Sequence, residues 1–526
     1  MRNELDKDNL YKKILDDQNI FSAIFCMESY VFDKGLLDTT TPITCEDEED
    51  KTSKIIAKSD LDLYYALSDK HNMQLIEKVI ALCHKRLTWL FADKEHIFPT
   101  RVYFKIKSYD NDNKTLEFRP LHTASLIDMI CMVCILIPLM YEDEYKKGKR
   151  NLSDLSKLIP HNFYGNIPST NVQYLFHKWQ KKYKEYSEVV TQHCRAYQRN
   201  HKYLAEVCLD IKNFFPSISP QLLFNYIVEK MSSTYEKNLD MLKIAVAKLL
   251  YFQIDRENIE PWHNEYYPNG FNLSDDDIYM NCGIPQGLPQ SYFFGNLCMI
   301  EVQNLLMRED CFKGDAYFYV DDSVIYIKSE LQPEEFKYRI GVLNQYLEEW
   351  CDTSKSPKRY NLNEFISEDY LKFQARIEYK IAFHKEKKSI ITPIDEVNDN
   401  IPYLERTVSG FSNIAWHLDE IDDQVSLEKL TALDEYISKE ISELKRHEKA
   451  LSDNNGIKEK LSSRLKYLHR FKKYFLYRNR LLKIKESGGP NVHMINDFNM
   501  RFLSADIPIS DWLEHNEEDI FQSEYR

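Results

Sequence analysis

Short apolar runs separated by polar residues outline a candidate β-hairpin in the middle of the chain. Residues 317–320 and 324–327 are each rich in aromatic and β-branched side chains, which favour strands. Only Asp321, Asp322 and Ser323 separate the two runs. The pattern therefore predicts a tight hairpin with two adjacent carboxylates at its tip.

A second apolar run places another carboxylate at the end of a strand. Residues 207–211 predict a buried strand that contains Asp210, and the pair Ser219-Pro220 follows it. Ser at the N-cap and Pro at the first helical position are a helix-start signal. Apolar residues then recur at helical spacing between 222 and 231. We therefore expect Asp210 where a strand gives way to a helix, a place from which a carboxylate can point into a cleft.

These carboxylates have the chemistry of a site for divalent cations. Adjacent carboxylates repel each other, and a fold tolerates them at a rigid tip when a cation neutralises them. Asp210, Asp321 and Asp322 would hold two Mg²⁺ ions about 3.5–4 Å apart, the geometry for in-line phosphoryl transfer, with Mn²⁺ able to substitute. The alternative is a solvated turn, in which Asp is a common residue.

A loop rich in Gly and Pro lies between these acids in the sequence. Residues 283–291 include Pro285, Gln286 and Gly287, and the apolar run at 292–297 is typical of a buried helix. A loop that enters a helix N-terminus brings backbone N–H groups and a Gln amide beside a nucleotide. The alternative is a plain turn before a core helix.

Taken in order, these motifs resemble those of the reverse transcriptases. The string Tyr-Val-Asp-Asp at 319–322 resembles the catalytic box of that family, and the other motifs precede or follow it in the family's order. The resemblance covers roughly residues 98–415. The matching segments are 118–121, 209–211, 214–215, 285–287, 319–322 and 384–389.

The resemblance implies an α+β fold of the right-hand polymerase type, with fingers and a palm whose sheet is mainly antiparallel. A helical N-terminal extension would precede the fingers, and a helical thumb or C-terminal domain would follow the palm. The corresponding boundaries are 1–97 for the extension, 98–200 for the fingers, 201–415 for the palm with its catalytic motifs, and 416–526 for the thumb.

The resemblance also implies roles for individual residues. Asp210, Asp321 and Asp322 would be catalytic. The metal ligands would be Asp210, Ile211, Asp321 and Asp322. Phe215, five positions after Asp210, would screen out the ribose 2′-hydroxyl and select deoxynucleotides, with a core Phe as the alternative. The nucleotide-binding residues would be Arg119, Phe215, Gln286 and Lys388, or its neighbour Lys387.

A further segment points to a subgroup of that family. Residues 163–166 (Phe-Tyr-Gly-Asn), followed by aromatic residues up to Tyr183, resemble the defence-associated, or abortive-infection, reverse transcriptases of bacteria. This resemblance implies antiphage defence by Mg²⁺-dependent DNA synthesis from dNTPs, on or with a non-coding RNA. It also implies RNA and DNA as partners, and a second reverse transcriptase or a homo-oligomer. Template-independent or protein-primed synthesis is the alternative within the family.

The formal charge of −14 argues against a nucleic-acid partner, but the charge is unevenly distributed. Residues 458–485 contain eleven Lys or Arg and one acid, with apolar residues at helical spacing and interleaved tyrosines. Cations there would meet phosphates while the tyrosines stack on bases; the alternative is a solvated charged face. The candidate nucleic-acid-binding residues are Arg464, Arg470, Lys472, Lys473, Arg478 and Arg480.

Composition bounds the cellular setting. A chain of 526 residues with eleven cysteines scattered without regular pairing predicts a multidomain protein of the reducing cytoplasm. The longest apolar stretch, 129–140, is too short to span a bilayer, and its Cys131 and Cys134 are expected to face a core.

Two rival functions use the same features. A metal-dependent nuclease would employ the same carboxylates but would not explain Phe215 or the Gln286 loop. A non-catalytic RNA-binding assembly protein would depend on the basic segment and not on the carboxylates.

Overall fold

A computed structural model describes most of the first three-quarters of the chain. The described residues are 9–26, 37–38, 40–46, 53–68, 72–110, 115–146, 149–254, 283–352, 360, 364–374, 377–384 and 389–397. Internal contacts divide the chain into two compact units, one of residues 1–103 with 120–397 and one of residues 104–119 with 398–526. The candidate carboxylates belong to the first unit.

Helices and strands are mixed along the described chain. The α-helices are α1 (Leu10–Ile14), α2 (Asp17–Phe25), α3 (Asp60–Ser68), α4 (Met73–Ala92), α5 (Leu126–Met140), α6 (Asp154–Lys157), α7 (Trp179–Asn200), α8 (Phe214–Ser217), α9 (Pro220–Met231), α10 (Leu239–Leu250), α11 (Pro289–Leu306), α12 (Pro333–Cys351) and α13 (Glu368–Gln374). The strands are β1 (Ile43–Glu46), β2 (Ser53–Ala57), β3 (Phe98–Asp110), β4 (Thr115–Thr123), β5 (Tyr141–Lys146), β6 (Lys149–Leu152), β7 (Ala205–Leu209), β8 (Phe252–Ile254), β9 (Gly314–Tyr319), β10 (Asp322–Ile327) and β11 (Ile390–Pro393). Short 3₁₀ helices occupy Glu236–Asn238, Asp310–Phe312 and Ile394–Glu396.

A four-stranded sheet carries the candidate site. Its strand order is β11-β7-β10-β9, and every neighbouring pair is antiparallel. Two further pairs, β1-β2 and β5-β6, are antiparallel hairpins, while β3 pairs in parallel with β8 in a sheet of order β4-β3-β8. The prediction of a mixed α+β protein with small antiparallel sheets is confirmed. The arrangement into fingers, palm and thumb stays a prediction.

The central helix α5 is a core helix. Ser125 caps it by accepting the backbone N–H of Asp128 through its side chain at 3.1 Å, and almost every residue after that is buried. The thiols of Cys131 and Cys134 are fully buried, as the apolar pattern predicted, and burial raises the pKa of both. Neither thiol therefore has the character of a reactive cysteine.

Helix α9 begins where its sequence signal predicts. The hydroxyl of Ser219 accepts the backbone N–H of Leu222 at 3.4 Å, and Pro220 occupies the first turn. Leu223, Ile227 and other apolar residues of the helix are buried against the core. The strand before it, β7, ends at Leu209, so Asp210 follows a strand and precedes α8 and α9. Across the helices that the structure describes, none is long and apolar enough to cross a membrane.

Candidate active site

The predicted hairpin is present, and its turn lies one position earlier than the apolar pattern indicates. Strands β9 and β10 pair up to Tyr319 and Asp322, which leaves Val320 and Asp321 as the two turn residues. Asp322 is therefore the first residue of a strand, and Asp321 alone of the two acids is in the turn. Val320 has φ of 54°, a left-handed conformation that is unfavourable for a β-branched residue.

The strained turn rests on a glycine from another part of the chain. A Cβ atom on Gly165 would lie 2.6 Å from Val320 Cγ2 and 2.7 Å from the Val320 nitrogen. The backbone around Gly165 is held against β9, since the N–H of Tyr164 donates to the carbonyl of Phe318 at 2.9 Å. On the other side, the Asn296 amide donates to the carbonyl oxygen of Gly165 at 2.9 Å. Segment 163–166 therefore supports the turn that carries Asp321.

Strand register brings two of the candidate carboxylates to facing positions. In the antiparallel pair of β7 and β10, Leu209 lies opposite Ser323. β7 ends at Leu209, and the same register continued by one residue would set Asp210 opposite Asp322. Directly opposed residues in an antiparallel pair point to the same face of the sheet and lie close together. Asp210 and Asp322 therefore share a face at the end of the sheet, beside the turn that holds Asp321.

A histidine that the sequence analysis left without a role lies next to Asp210. His384 Nε2 is 3.5 Å from Asp210 Oδ2, and the backbone N–H of His384 donates to the Asp210 carbonyl at 3.0 Å. The neighbouring N–H of Lys212 donates to the carbonyl of Ala382 at 2.9 Å, and Ile211 pairs with Phe383. The chain at 210–212 is therefore held against residues 382–384.

The donor chemistry of this end of the sheet suits a hard divalent cation, although the side chains are not assembled as a ligand set. Carboxylate and carbonyl oxygens, here of Asp210, Asp321, Asp322 and Ile211, are the ligands that Mg²⁺ prefers. Within the described ranges, no group of three or more His, Cys, Asp or Glu side chains is arranged to hold a metal ion. Without a bound cation, the negative charges of neighbouring carboxylates repel each other, which keeps the side chains apart. The metal site remains a prediction.

The Gln286 loop packs against the end of strand β4. The backbone N–H of His122 donates to the Gln286 carbonyl at 2.6 Å. Gly287 has φ of 108°, and a Cβ there would lie 2.6 Å from the His122 carbonyl oxygen. Only glycine fits such a position without a clash. The loop is therefore held by its backbone, while Gln286 itself stays partly exposed.

The other end of the loop packs against the chain after β7. Gly283 has φ of 68°, and a Cβ on it would lie 2.4 Å from the Phe215 carbonyl oxygen. The N–H of Ile284 donates to that same carbonyl at 3.0 Å. The structure thus joins the Gln286 loop to the segment that contains Phe215, a contact that the sequence pattern does not reveal.

Phe215 lies in the core in this structure. It is 6% exposed, and its ring makes an edge-to-face contact with the ring of Phe214, with the centroids 5.2 Å apart. A Cβ on Gly295 of α11 would lie 3.3 Å from its Cε1 atom. Its neighbour Phe214 is 3% exposed, so burial alone does not distinguish a nucleotide-facing ring from a core ring. The steric-gate role stays a prediction.

A hydrogen-bonded cluster on α7 supports the hairpin from the side. Tyr197 donates to Asp315 Oδ2 at 2.5 Å, and Lys202 Nζ lies 2.9 Å from the same oxygen. Burial acts to raise the pKa of Asp315, but the hydrogen bonds from Tyr197 and Lys202 outweigh it and lower the pKa. His193 of α7 is hydrogen-bonded to the hydroxyl of Tyr317, and burial raises the pKa of Tyr317 to about 12.

The same cluster reaches the neighbouring strands. Tyr326 of β10 donates to Glu206 Oε2 of β7 at 2.8 Å, and the two residues are directly opposed in the register. Tyr319 is half-buried against Tyr183 of α7, with ring centroids 4.5 Å apart. Burial, followed by the nearby Asp322 carboxylate, raises the pKa of Tyr319. These polar contacts fix β9 and β10 relative to α7.

Several predicted site residues lie outside the described parts of the chain. The side chain of Arg119, in β4, is one of these, and so are Lys387 and Lys388. The basic segment 458–485 is another, with its residues Arg464, Arg470, Lys472, Lys473, Arg478 and Arg480. Their roles stay predictions.

Comparisons with known proteins add no family to this geometry. Neither the scan against protein-family models nor the search of curated proteins gave a match.

Proposed function

We propose that the protein is a metal-dependent nucleotidyltransferase that synthesises DNA from dNTPs, a reverse transcriptase in type. One observation carries the proposal. The register of β7 and β10, continued one residue beyond Leu209, would set Asp210 opposite Asp322, and Asp321 occupies the adjoining turn. Three carboxylates at the end of an antiparallel sheet would supply the oxygen ligands that phosphoryl transfer with Mg²⁺ requires.

Four residues would bind the metal ions, and a fifth would orient one of the four. Asp210, Asp321, Asp322 and the Ile211 carbonyl would bind two Mg²⁺ ions. When bound, these ions lower the pKa of the attacking hydroxyl and stabilise the negative charge on the leaving pyrophosphate. His384, 3.5 Å from Asp210, would orient that carboxylate.

Other residues would bind the incoming nucleotide. The Gln286 side chain would lie against it, since the backbone of the loop is fixed by His122. Phe215 would exclude a ribose 2′-hydroxyl, because a phenyl ring offers it neither room nor a hydrogen bond. Arg119, and Lys388 or Lys387, would neutralise its phosphates.

The cellular setting belongs to the same proposal. The protein would act in the cytoplasm of a bacterium in defence against phage, on or with a non-coding RNA, as a homo-oligomer or with a second reverse transcriptase. The resemblance of segment 163–166 to defence-associated enzymes supports this setting. Template-independent or protein-primed synthesis remains the alternative for the same site.

Purified full-length protein tests the chemistry directly. It is supplied with dNTPs, Mg²⁺ and end-labelled RNA, DNA and homopolymer strands, and product length is followed on denaturing gels. We expect lengthened strands, abolished by a chelator and restored by Mg²⁺ or Mn²⁺. Asp321→Asn and Asp210→Asn should each lower the rate by at least about a hundredfold, because removing a charge at the transferring phosphate costs several kcal/mol.

The matched control is Asp310→Asn. Asp310 is exposed and pairs with Lys313 three positions away, so the same chemical change there should leave the rate unaltered. Shortened strands would identify a nuclease instead. No change in strand length under any condition would favour an RNA-binding assembly protein.

A plating assay tests the defence role. Bacteria that express the wild type should restrict phage, whereas those that express Asp321→Asn should plate phage as efficiently as cells without the protein. Sequencing of nucleic acid that copurifies from infected and uninfected cells would identify the template and product. Full restriction by Asp321→Asn would contradict a catalytic role in defence.

A further inference from the structure

A cavity of about 270 Å³ lies between α9, α11 and the C-terminal end of α12, and its lining includes none of the candidate catalytic residues. Its floor is apolar: Leu223, Leu297 and Cys298 line it, and all three are buried. Its remaining walls carry aromatic and charged side chains. A pocket with an apolar floor and a few polar groups is the usual form of a small-molecule site.

The polar part of the cavity is predominantly acidic. Glu229 of α9 and Glu301 of α11 both line it, with Tyr226 beside them. Burial raises the pKa of Tyr226 to about 12, and the negative charges of Glu301 and Glu229 act in the same direction. The two carboxylates therefore lie close enough to the phenol to disfavour any further negative charge. Glu229 and Glu301 outnumber Lys230 in the lining, and this net negative charge favours a cation over an anion.

The aromatic part of the cavity already accepts an ammonium group. Lys230 Nζ lies 5.4 Å from the centre of the Tyr226 ring, a cation–π contact. Lys230 is exposed and stands on the same helix, so its ammonium can move away into water. Trp350 contributes a second aromatic side chain to the lining. The contact with Lys230 shows that the Tyr226 ring is accessible to an ammonium group.

We propose that this cavity binds the primary ammonium group of an aliphatic diamine or polyamine. The methylene chain would lie on the floor formed by Leu223 and Leu297. Its ammonium group would displace Lys230 from the Tyr226 ring and pair with Glu301. A neutral ligand would leave the carboxylate without a charged partner, and a carboxylate ligand would meet two like charges. This proposal does not depend on DNA synthesis.

Calorimetric titration of the full-length protein tests the ligand class. Cadaverine, a five-carbon diamine, is compared with pentanediol, which has the same length and no charge. Saturable cadaverine binding is expected, with pentanediol at least about tenfold weaker, because a charge-assisted hydrogen bond is about twice as strong as a neutral one. Equal affinity for the two compounds, or no saturable binding of cadaverine, would overturn the proposal.

Two substitutions with opposite expected effects test the location. Glu301→Gln keeps the shape and removes the charge, and should weaken cadaverine binding about tenfold. Lys230→Ala removes the internal competitor and should strengthen it severalfold. The control is Glu236→Gln, an exposed acid that does not line the cavity. Equal losses for Glu301→Gln and Glu236→Gln would show non-specific attraction and refute the site, and thermal unfolding of each variant checks that it is folded.

Discussion

Burial of a charged side chain has a measurable consequence at Asp60, the first residue of α3. Asp60 is 6% exposed, and burial raises its pKa from 3.8 to about 6, while the N–H of Leu126 acts in the opposite direction. The carboxylates of Asp38 and Asp128 raise it further, and Arg101 lowers it. At neutral pH, above this pKa, Asp60 is therefore ionised in the fold, and its burial lowers the free energy of unfolding relative to the protonated form.

The raised pKa of Asp60 makes the stability of the fold depend on pH. A carboxyl whose pKa is higher in the folded state stabilises the fold fully below pH about 4, and this contribution is lost as the pH rises through about 6. We expect Asp60→Asn to raise the urea midpoint relative to the wild type at pH 8, and we expect this difference to shrink as the pH falls and to vanish below pH about 4. At pH 8 the difference should correspond to about 3 kcal/mol. A midpoint difference independent of pH would contradict this expectation.

Two adjacent phenylalanines allow the sugar-selection hypothesis to be tested with an internal control. Phe214 and Phe215 are both buried and in contact, so truncation of either should cost about 3–5 kcal/mol of stability. Only Phe215→Ala should increase ribonucleotide incorporation relative to deoxynucleotide, by at least about tenfold. The test measures single-nucleotide incorporation of ribonucleotides and deoxynucleotides by the two variants, below their unfolding temperatures. Equal discrimination in both variants would make Phe215 a core residue.

At the scale of the elements, the candidate site depends on a close approach between the hairpin turn and Gly165. A methyl group on Gly165 would lie 2.6 Å from Val320 Cγ2 and 2.7 Å from the Val320 nitrogen, so the backbone must shift. We expect Gly165→Ala to cost about 1–3 kcal/mol and to lower DNA synthesis by displacing Asp321. Chemical unfolding and a primer-extension rate measure the two effects.

The control for this substitution is Gly341→Ala. Gly341 lies inside α12, and a Cβ there would meet nothing within 4 Å. Because Ala has the higher helix propensity, this variant should be more stable by up to about 1 kcal/mol with an unchanged rate. If Gly165→Ala behaved like Gly341→Ala, the turn would not depend on the glycine contact.

Elements with a local signal could be predicted from the sequence, and elements set by distant contacts could not. The Ser219-Pro220 pair marks the start of α9 because capping involves residues three positions apart. The apolar pattern also predicts the hairpin, but it assigns Val320 to a strand because a β-branched side chain favours one. Its positive φ arises beside Gly165, far away in the sequence. His122, 164 positions from the Gln286 carbonyl that it contacts, carries no local signal.

At the scale of the whole molecule, the net charge of −14 and the basic segment 458–485 make opposite predictions about nucleic acid. If the segment binds RNA, its cations release counterions from the phosphates, and affinity falls with salt. Changing Arg464, Arg470, Lys472 and Lys473 together to Gln should weaken binding and reduce the slope of log K against log salt by about 3. Fluorescence anisotropy at several salt concentrations measures both quantities.

The control carries the same number of charge changes outside the basic segment. Lys184, Lys237, Lys313 and Lys337 are spread over the described part of the chain, and changing them to Gln should leave the salt slope unaltered. If log K against log salt had the same slope in the two variants, the basic segment would make no specific contribution to nucleic-acid binding. The basic segment would then be a solvated face.

Helix α11 performs several structural tasks along its length. Its N-terminus follows the Gln286 loop, Gly295 lies against the ring of Phe215, and the Asn296 amide holds the carbonyl of Gly165. Cys298 and Glu301, within the next two turns, line the cavity on another side. Because α11 is a single rigid helix that contacts both regions, a shift at one end also moves the other. A molecule that bound in the cavity and shifted the C-terminal half of α11 would therefore also displace the residues that support the Val320 turn. The cavity and the turn are coupled through this helix.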